Sequence, residues 1–192
     1  MRTSQSVIRG VALSTLSLLL MNALPALAQK VKLATSAGDI VIELDAAKAP
    51  KSVENFLAYV KAGHYDGTVF HRVIGNFMIQ GGGMTADLKE KSTRAPITLE
   101  ARNGLNNDKG TVAMARTNAP NSATAQFFIN LKDKEFLNAA ASRDGNGYAV
   151  FGKVTSGMDV VEKIRNVPTG SKGAFENVPL DPVTIKQATL EK

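Results

Sequence analysis

FHRVIGNFMIQGG, residues 70–82, reads as two short strands joined at Gly75-Asn76. Phe70, Val73, Ile74, Phe77, Met78 and Ile79 make this an apolar strand pair, yet Arg72 and Gln80 sit inside it. A guanidinium keeps its proton in a protein, and stranding it among apolar groups costs several kcal/mol or more. A permanent cation in such a place needs a reason.

On either side of this hairpin the strand signals continue. Val31 to Thr35, a Ser-Ala-Gly-Asp turn and Ile40 to Leu44 predict a first hairpin of alternating residues. Val53, Phe56, Leu57 and Val60 have the i, i+3, i+4, i+7 spacing of an amphipathic helix over Pro50 to Ala62, stopped by Gly63. Residues 83–96 are polar and irregular, which predicts a surface loop. Short strand-like runs recur at Ile97–Leu99, Thr111–Ala115, Phe127–Leu131 and Tyr148–Lys153, with turns at Asn103-Gly104 and Gly145-Asn146-Gly147. Val160, Val161 and Ile164 predict a second helix, and Val183 to Leu190 a last strand. Many short strands, two helices and no βαβ rhythm predict one mainly β domain, a closed barrel with helices over its ends.

The first 28 residues stand apart. Arg2 and Arg9 precede a Leu-rich apolar run from Val11 to Met21, and Ala26-Leu27-Ala28 supplies a small-x-small cleavage pattern. The run is shorter than the roughly 18–20 residues a spanning helix needs, so a cleavable signal peptide over 1–28 is expected, with a mature domain over 29–192. Loss of Arg2 and Arg9 would lower the net charge from +6 to +4. Charges of both signs are interspersed, which argues for solubility and against a nucleic-acid stripe. After cleavage no membrane contact is expected.

Ordinary catalytic constellations are missing. With no cysteine, thiol nucleophiles, disulfide chemistry and thiolate metal sites are excluded. No G-x-S-x-G, G-x-G-x-x-G or H-E-x-x-H pattern occurs. Gly81-Gly82-Gly83 reads as a strand end with room for close backbone approach. The only histidines are His64, expected as a surface or capping residue just past a helix end, and His71, expected to be structural and to alternate away from Arg72. No metal and no cofactor are expected. What remains is Arg72 with Gln80, and a second polar–apolar block, SATAQFFIN (122–130), in which Gln126 abuts two aromatics. Together they look like donors and acceptors lining a pocket.

Five blocks, FHRVI (70–74), FMIQGG (77–82), GTVAMAR (110–116), SATAQFFIN (122–130) and VFGKV (150–154), resemble the cyclophilin family of peptidyl-prolyl isomerases in order and spacing. The resemblance runs from Val31 to the C-terminus and is to bacterial cyclophilins of the exported, periplasmic type. It implies an eight-stranded antiparallel barrel with a helix at each end and a substrate groove on the outer face. It implies Arg72 as the catalytic arginine, with Phe77, Met78, Phe128 and Leu137 forming a proline pocket. Gln80 and Gln126 would hold the substrate backbone, and Ala115, Arg116 and Thr117 would form a groove wall.

Phe136 and Tyr148 stand where many eukaryotic members have a tryptophan and a histidine, which implies weakened binding of cyclosporin-type inhibitors. Gly75-Asn76 replaces the family's usual Pro-Gly, so a changed and looser turn is expected. The implied partners are proline-containing peptides and unfolded or partly folded exported proteins in the periplasm, met by a monomer. The alternative is a holdase that captures proline segments, with incidental catalysis.

Overall fold

Turn chemistry starts the sheet. In the computed structural model, which describes residues 29–191, β1 (Lys30–Thr35) and β2 (Gly38–Leu44) pair in register from Lys30 opposite Glu43 to Thr35 opposite Gly38. The Thr35 hydroxyl donates to the Gly38 carbonyl at 2.6 Å and accepts from the Ala37 N–H at 3.1 Å, fixing the bend. A side chain at Gly38 would lie 2.7 Å from Val160, so the turn needs glycine to let the second helix approach.

The first helix, α1 (Pro50–Lys61), begins with proline, whose fixed φ and missing N–H suit a helix start. No neighbouring side chain caps it. Glu100 does so from far along the chain, accepting from the Lys51 N–H, the Ser52 N–H and the Ser52 hydroxyl at 3.0, 2.8 and 2.7 Å. A carboxylate there satisfies orphan donors and faces the positive end of the helix dipole. The same contact stitches the long 82–110 connection onto the barrel.

The remaining elements are β3 (Arg72–Ile74), β4 (Met78–Gly81), β5 (Thr111–Met114), β6 (Phe127–Asn130), β7 (Val150–Ser156), α2 (Met158–Arg165), β8 (Thr169–Lys172), β9 (Phe175–Pro179) and β10 (Ile185–Leu190). Eight strands form one antiparallel sheet in the order β10-β1-β2-β7-β5-β6-β4-β3. The inner face buries Leu33, Ile40, Ile42, Val112, Phe127, Ile129 and Phe151 in one core, joined by Tyr65 from the turn after α1. Helix α1 closes it with Val53, Phe56 and Val60, and α2 adds Val160, Val161 and Ile164.

The structure corrects the strand assignment at three places. The sheet curls but its ladder does not run full circle. Between β3 and β10 closure rests on a single bridge, Val69 opposite Thr184, with the Phe70 N–H bonded to the Val183 carbonyl and the Ile185 N–H to that of Thr68. Pro182, which has no N–H to give, stands just before that bridge. The strand expected at Ile97–Leu99 is reduced to one bridge between Ile97 and Ala123. The β8–β9 hairpin was not anticipated, because TGSK and FENVP carry mostly exposed residues and little alternation. The signal peptide expected over 1–28 falls outside the described residues.

Candidate active site

Strand alternation gives the sheet a second apolar face. Ile79, Val112, Phe127, Ile129 and Phe151 point into the barrel, so their neighbours Met78, Ala113, Phe128 and Val150 point out. These four are nevertheless buried, packed with Leu137 and flanked by partly buried Ile74, Phe77, Leu105, Ala115 and Tyr148. The pairing register sets one outward row across five strands: Arg72 opposite Gln80, Gln80 opposite Phe128, Phe128 opposite Ala113, Ala113 opposite Val150. The cation and the pocket therefore share a face.

Arg72 is exposed and, among the described residues, forms no ion pair. The burial cost posed by its apolar neighbours does not arise, because those in the barrel core (Phe70, Val73, Ile79) point the other way. Beside it the Gln80 amide donates to the Gln126 side-chain oxygen at 2.9 Å. Gln126 lies over Gly83, where a β-carbon would come within 2.4 Å of it. Gly82, at φ +84°, leaves the same room for Phe127 and Tyr65. The glycine run permits close packing, as expected.

The other wall is built differently. The Ala115 N–H bonds to the Gln126 carbonyl at 3.0 Å, and Thr117 is tied by its N–H and hydroxyl to the Ser122 hydroxyl, both at 2.9 Å. The Arg116 side chain is 3% exposed and turns away beneath Tyr148, its guanidinium carbon 4.6 Å from the ring centroid. Its Nε donates to the Gly147 carbonyl at 2.8 Å, its Nη1 to the Thr117 carbonyl at 3.0 Å, and its Nη2 to Asp144. The Asn146 N–H first, and then Arg116, hold the Asp144 carboxyl well below the usual carboxylate range. The Arg116 charge is thus neutralised by Asp144 and its side chain is buried beneath Tyr148.

Tyr148 stands edge-on to Phe128 with centroids 5.6 Å apart, and Phe136, 54% exposed, lies 5.8 Å from Phe77. Leu137 is buried between these rims. The side chains expected of the pocket lie together: Met78, Phe128 and Leu137 pack in one outward cluster with Phe77 and Tyr148 against it, and Phe136 stands beside Phe77.

Comparison with known proteins decides the family. Residues 30–190 match the family described as cyclophilin type peptidyl-prolyl cis-trans isomerase/CLD. The chain is 63% identical over 161 residues to peptidyl-prolyl cis-trans isomerase cyp18 of Streptomyces antibioticus, covering 83% of this chain and 97% of that one. It is 54% identical over 159 residues to peptidyl-prolyl cis-trans isomerase B of Escherichia coli, covering 82% and 97%. The crystal structure of a cyclophilin type isomerase of Cryptosporidium parvum superposes with TM-score 0.71 at 29% identity, covering 86% and 98%. The same protein has been solved in the presence of the dipeptide Ala-Pro, with TM-score 0.70. The chain belongs to the cyclophilin-type peptidyl-prolyl cis-trans isomerases.

In this cyclophilin the Gly75-Asn76 turn is not loose. The Phe77 N–H closes it on the Ile74 carbonyl at 2.8 Å, and neither Gly75 nor Asn76 has a positive φ. The C-terminal end of α2 packs on it, with Arg165 Nη2 3.4 Å from Asn76 Oδ1. Of the two expected places for His64, the helix cap holds and the surface does not: its N–H bonds to the Tyr59 carbonyl at 3.0 Å past the end of α1, after Gly63 at φ +63°. It is buried against Tyr59 at 4.6 Å, with Nε2 3.2 Å from the Gly82 carbonyl, and burial lowers its pKa. His71 is structural as expected: 5% exposed, with its pKa lowered to about 4, chiefly by burial and further by the Arg72 charge.

Sequence reasoning missed the support behind the cyclophilin pocket. Fully buried Asn107 donates through Nδ2 to the Leu137 and Tyr148 carbonyls, both at 3.3 Å, and to Asn138 Oδ1 at 3.1 Å. Its Oδ1 accepts from Asn130 Nδ2 at 3.2 Å, and its carbonyl accepts the Lys134 N–H at 2.9 Å. One amide thereby holds two pocket residues and the floor strand in mutual register. Asn106-Asn107 in the sequence carries no signal beyond a polar loop.

Proposed function

We propose that this cyclophilin accelerates X–Pro rotation in exported proteins, with Arg72 as its catalytic residue. The observation that carries the reading is an exposed guanidinium, without an ion pair among the described residues, on the same outward row as Gln80 and Phe128. Amide resonance opposes the rotation with a barrier of about 18–20 kcal/mol, giving uncatalysed times of tens to hundreds of seconds. No bond to a heavy atom is made or broken, so the reaction asks for no nucleophile. In the twisted state conjugation is lost and the proline nitrogen gains a lone pair that accepts a hydrogen bond. A fixed cationic donor aimed there stabilises the twisted amide more than either planar form. Arginine donates without losing its proton, where a lysine could lose its charge.

Phe77, Met78, Phe128 and Leu137 seat the proline ring while the preceding carbonyl swings. Gln80, Gln126 and the 115–117 backbone grip the flanking peptide, and Phe136 and Tyr148 close the rim. An acceleration of five or six orders would require about 7–8 kcal/mol of differential stabilisation, within reach of a few oriented donors in a partly desolvated groove. The Ala-Pro dipeptide used with the Cryptosporidium parvum relative fits such a site. A monomer, periplasmic residence after cleavage at Ala28 and weakened cyclosporin binding through Phe136 complete the reading.

The test is conversion of an Ala-Pro peptide by wild type and by Arg72→Ala, with N-terminal sequencing of the exported protein. Fast conversion lost in the variant, and a mature start at Gln29, are expected. Equal turnover by both would reject the assignment of Arg72, and an intact Met1 would reject cleavage. Equal rescue of an aggregating client by both would favour the holdase.

A further inference from the structure

A second cation borders the proline pocket, and the catalytic account leaves it without a task. Lys134 stands at the entrance to the short helical turn Glu135–Leu137, half-buried, its N–H bonded to Asn107. Its ammonium lies 5.7 Å from the Phe77 ring centroid and 5.9 Å from that of Phe136. Cation–π attraction to two rings holds it at the pocket's edge. Among the described residues no carboxylate pairs with it. Asp133 receives the Lys109 N–H at 2.8 Å, Asp144 at the opposite rim is bound by Arg116, and adjacent Glu135 is exposed and forms no ion pair. The apolar cluster is therefore flanked by two cations that have no carboxylate partner among the described residues, Arg72 and Lys134.

Position along the strands says what Lys134 meets. Gln126 and Ala115 mark one end of the groove, Gln80 opposite Phe128 its middle, and Met78 opposite Asn130 the end nearer Phe77 and Lys134. A peptide gripped at Gln80 and Gln126 passes the proline ring and emerges over the Phe77–Phe136 pair. We infer that Lys134 is a specificity-determining residue that selects X–Pro bonds flanked by an acidic side chain. This rests on the isomerase reading of the groove. A carboxylate over the rings gains an ammonium already held in place, whereas the isosteric amide gains no charge attraction. For a solvent-accessible pair the difference is about two- to fivefold.

The mature protein should be assayed with four peptides, carrying Glu or Gln immediately before or after the proline. At low salt wild type is expected to favour Glu over Gln about two- to fivefold in kcat/KM on one side of the proline, and the ratio should shrink as salt rises. The ratio should fall to about one in Lys134→Met and in Lys134→Gln, and invert in Lys134→Glu. No Glu preference on either side in wild type, or a preference that survives both neutral variants, would overturn the inference. Because each comparison is a ratio within one protein, a general loss of activity leaves it readable. Failure to turn over the Gln peptides at all would strike the isomerase reading instead.

Discussion

Arg72 and Arg116 flank the same apolar pocket and are opposites in every physical respect. Arg116 is sealed beneath Tyr148, with bonds to two carbonyls and a carboxylate. Arg72 is exposed and carries no ion pair among the described residues. A guanidinium whose charge and donors are consumed by the fold can only position its surroundings. One left unpartnered on a preformed face is available to a ligand. On the proposed reading the buried arginine is structure and the exposed one is chemistry, the reverse of what burial alone would suggest about importance.

If the Arg72 flank is rigid because its neighbour is buried, pH should reveal it. His71 is buried with Nδ1 unpartnered, and folding lowers its pKa from 6.5 to about 4. The unfolded chain therefore binds the proton first as pH falls. The contribution of the neutral ring is complete above pH 6.5 and is lost as pH falls to about 4, roughly 3 kcal/mol over that window. Urea unfolding across these pH values should show this loss, and His71→Gln should flatten it. An unchanged slope in the variant would assign the acid sensitivity to other groups.

On the opposite flank, Arg116→Met should cost about 2 kcal/mol in urea unfolding, because charge-assisted hydrogen bonds are lost and the Gly147 and Thr117 carbonyls lose their donors. Activity should fall through Tyr148 and Leu137, with KM affected more than kcat. A variant as stable as wild type, with both constants intact, would erase the distinction between the two arginines.

Asn107→Ala offers a smaller change in the same direction, about 1–2 kcal/mol, because it leaves the Leu137 and Tyr148 carbonyls without their shared donor. It should also raise KM for proline peptides. An unaltered KM would mean that the rim does not depend on this amide.

Much of this was readable from residue order. Alternation sets Met78 and Gln80 on one face of their strand, because period two admits no other arrangement within it; that Phe128 joins Arg72 and Gln80 is implied by the resemblance and fixed by the pairing register. Where alternation was lacking the reading failed. The polar β8–β9 hairpin went unseen, and Ile97–Leu99 looked like a strand but holds a single bridge. Side-chain direction at strand exits was equally hidden. GTVAMAR places Arg116 beside the groove, but only the 138–148 loop folding back supplies Asp144 and Gly147 to draw its charge under the rim. Long-range capping is the same case: α1 takes its cap from Glu100, and nothing near Pro50 announces it.

The contrast between a free and a committed arginine is tested most directly by kcat/KM of Arg72→Ala on an Ala-Pro peptide, measured beside its unfolding midpoint. The account predicts a loss of about 100-fold or more, the scale of removing one oriented transition-state donor, at an essentially unchanged midpoint. Wild-type turnover, or a loss that only tracks unfolding, would contradict it.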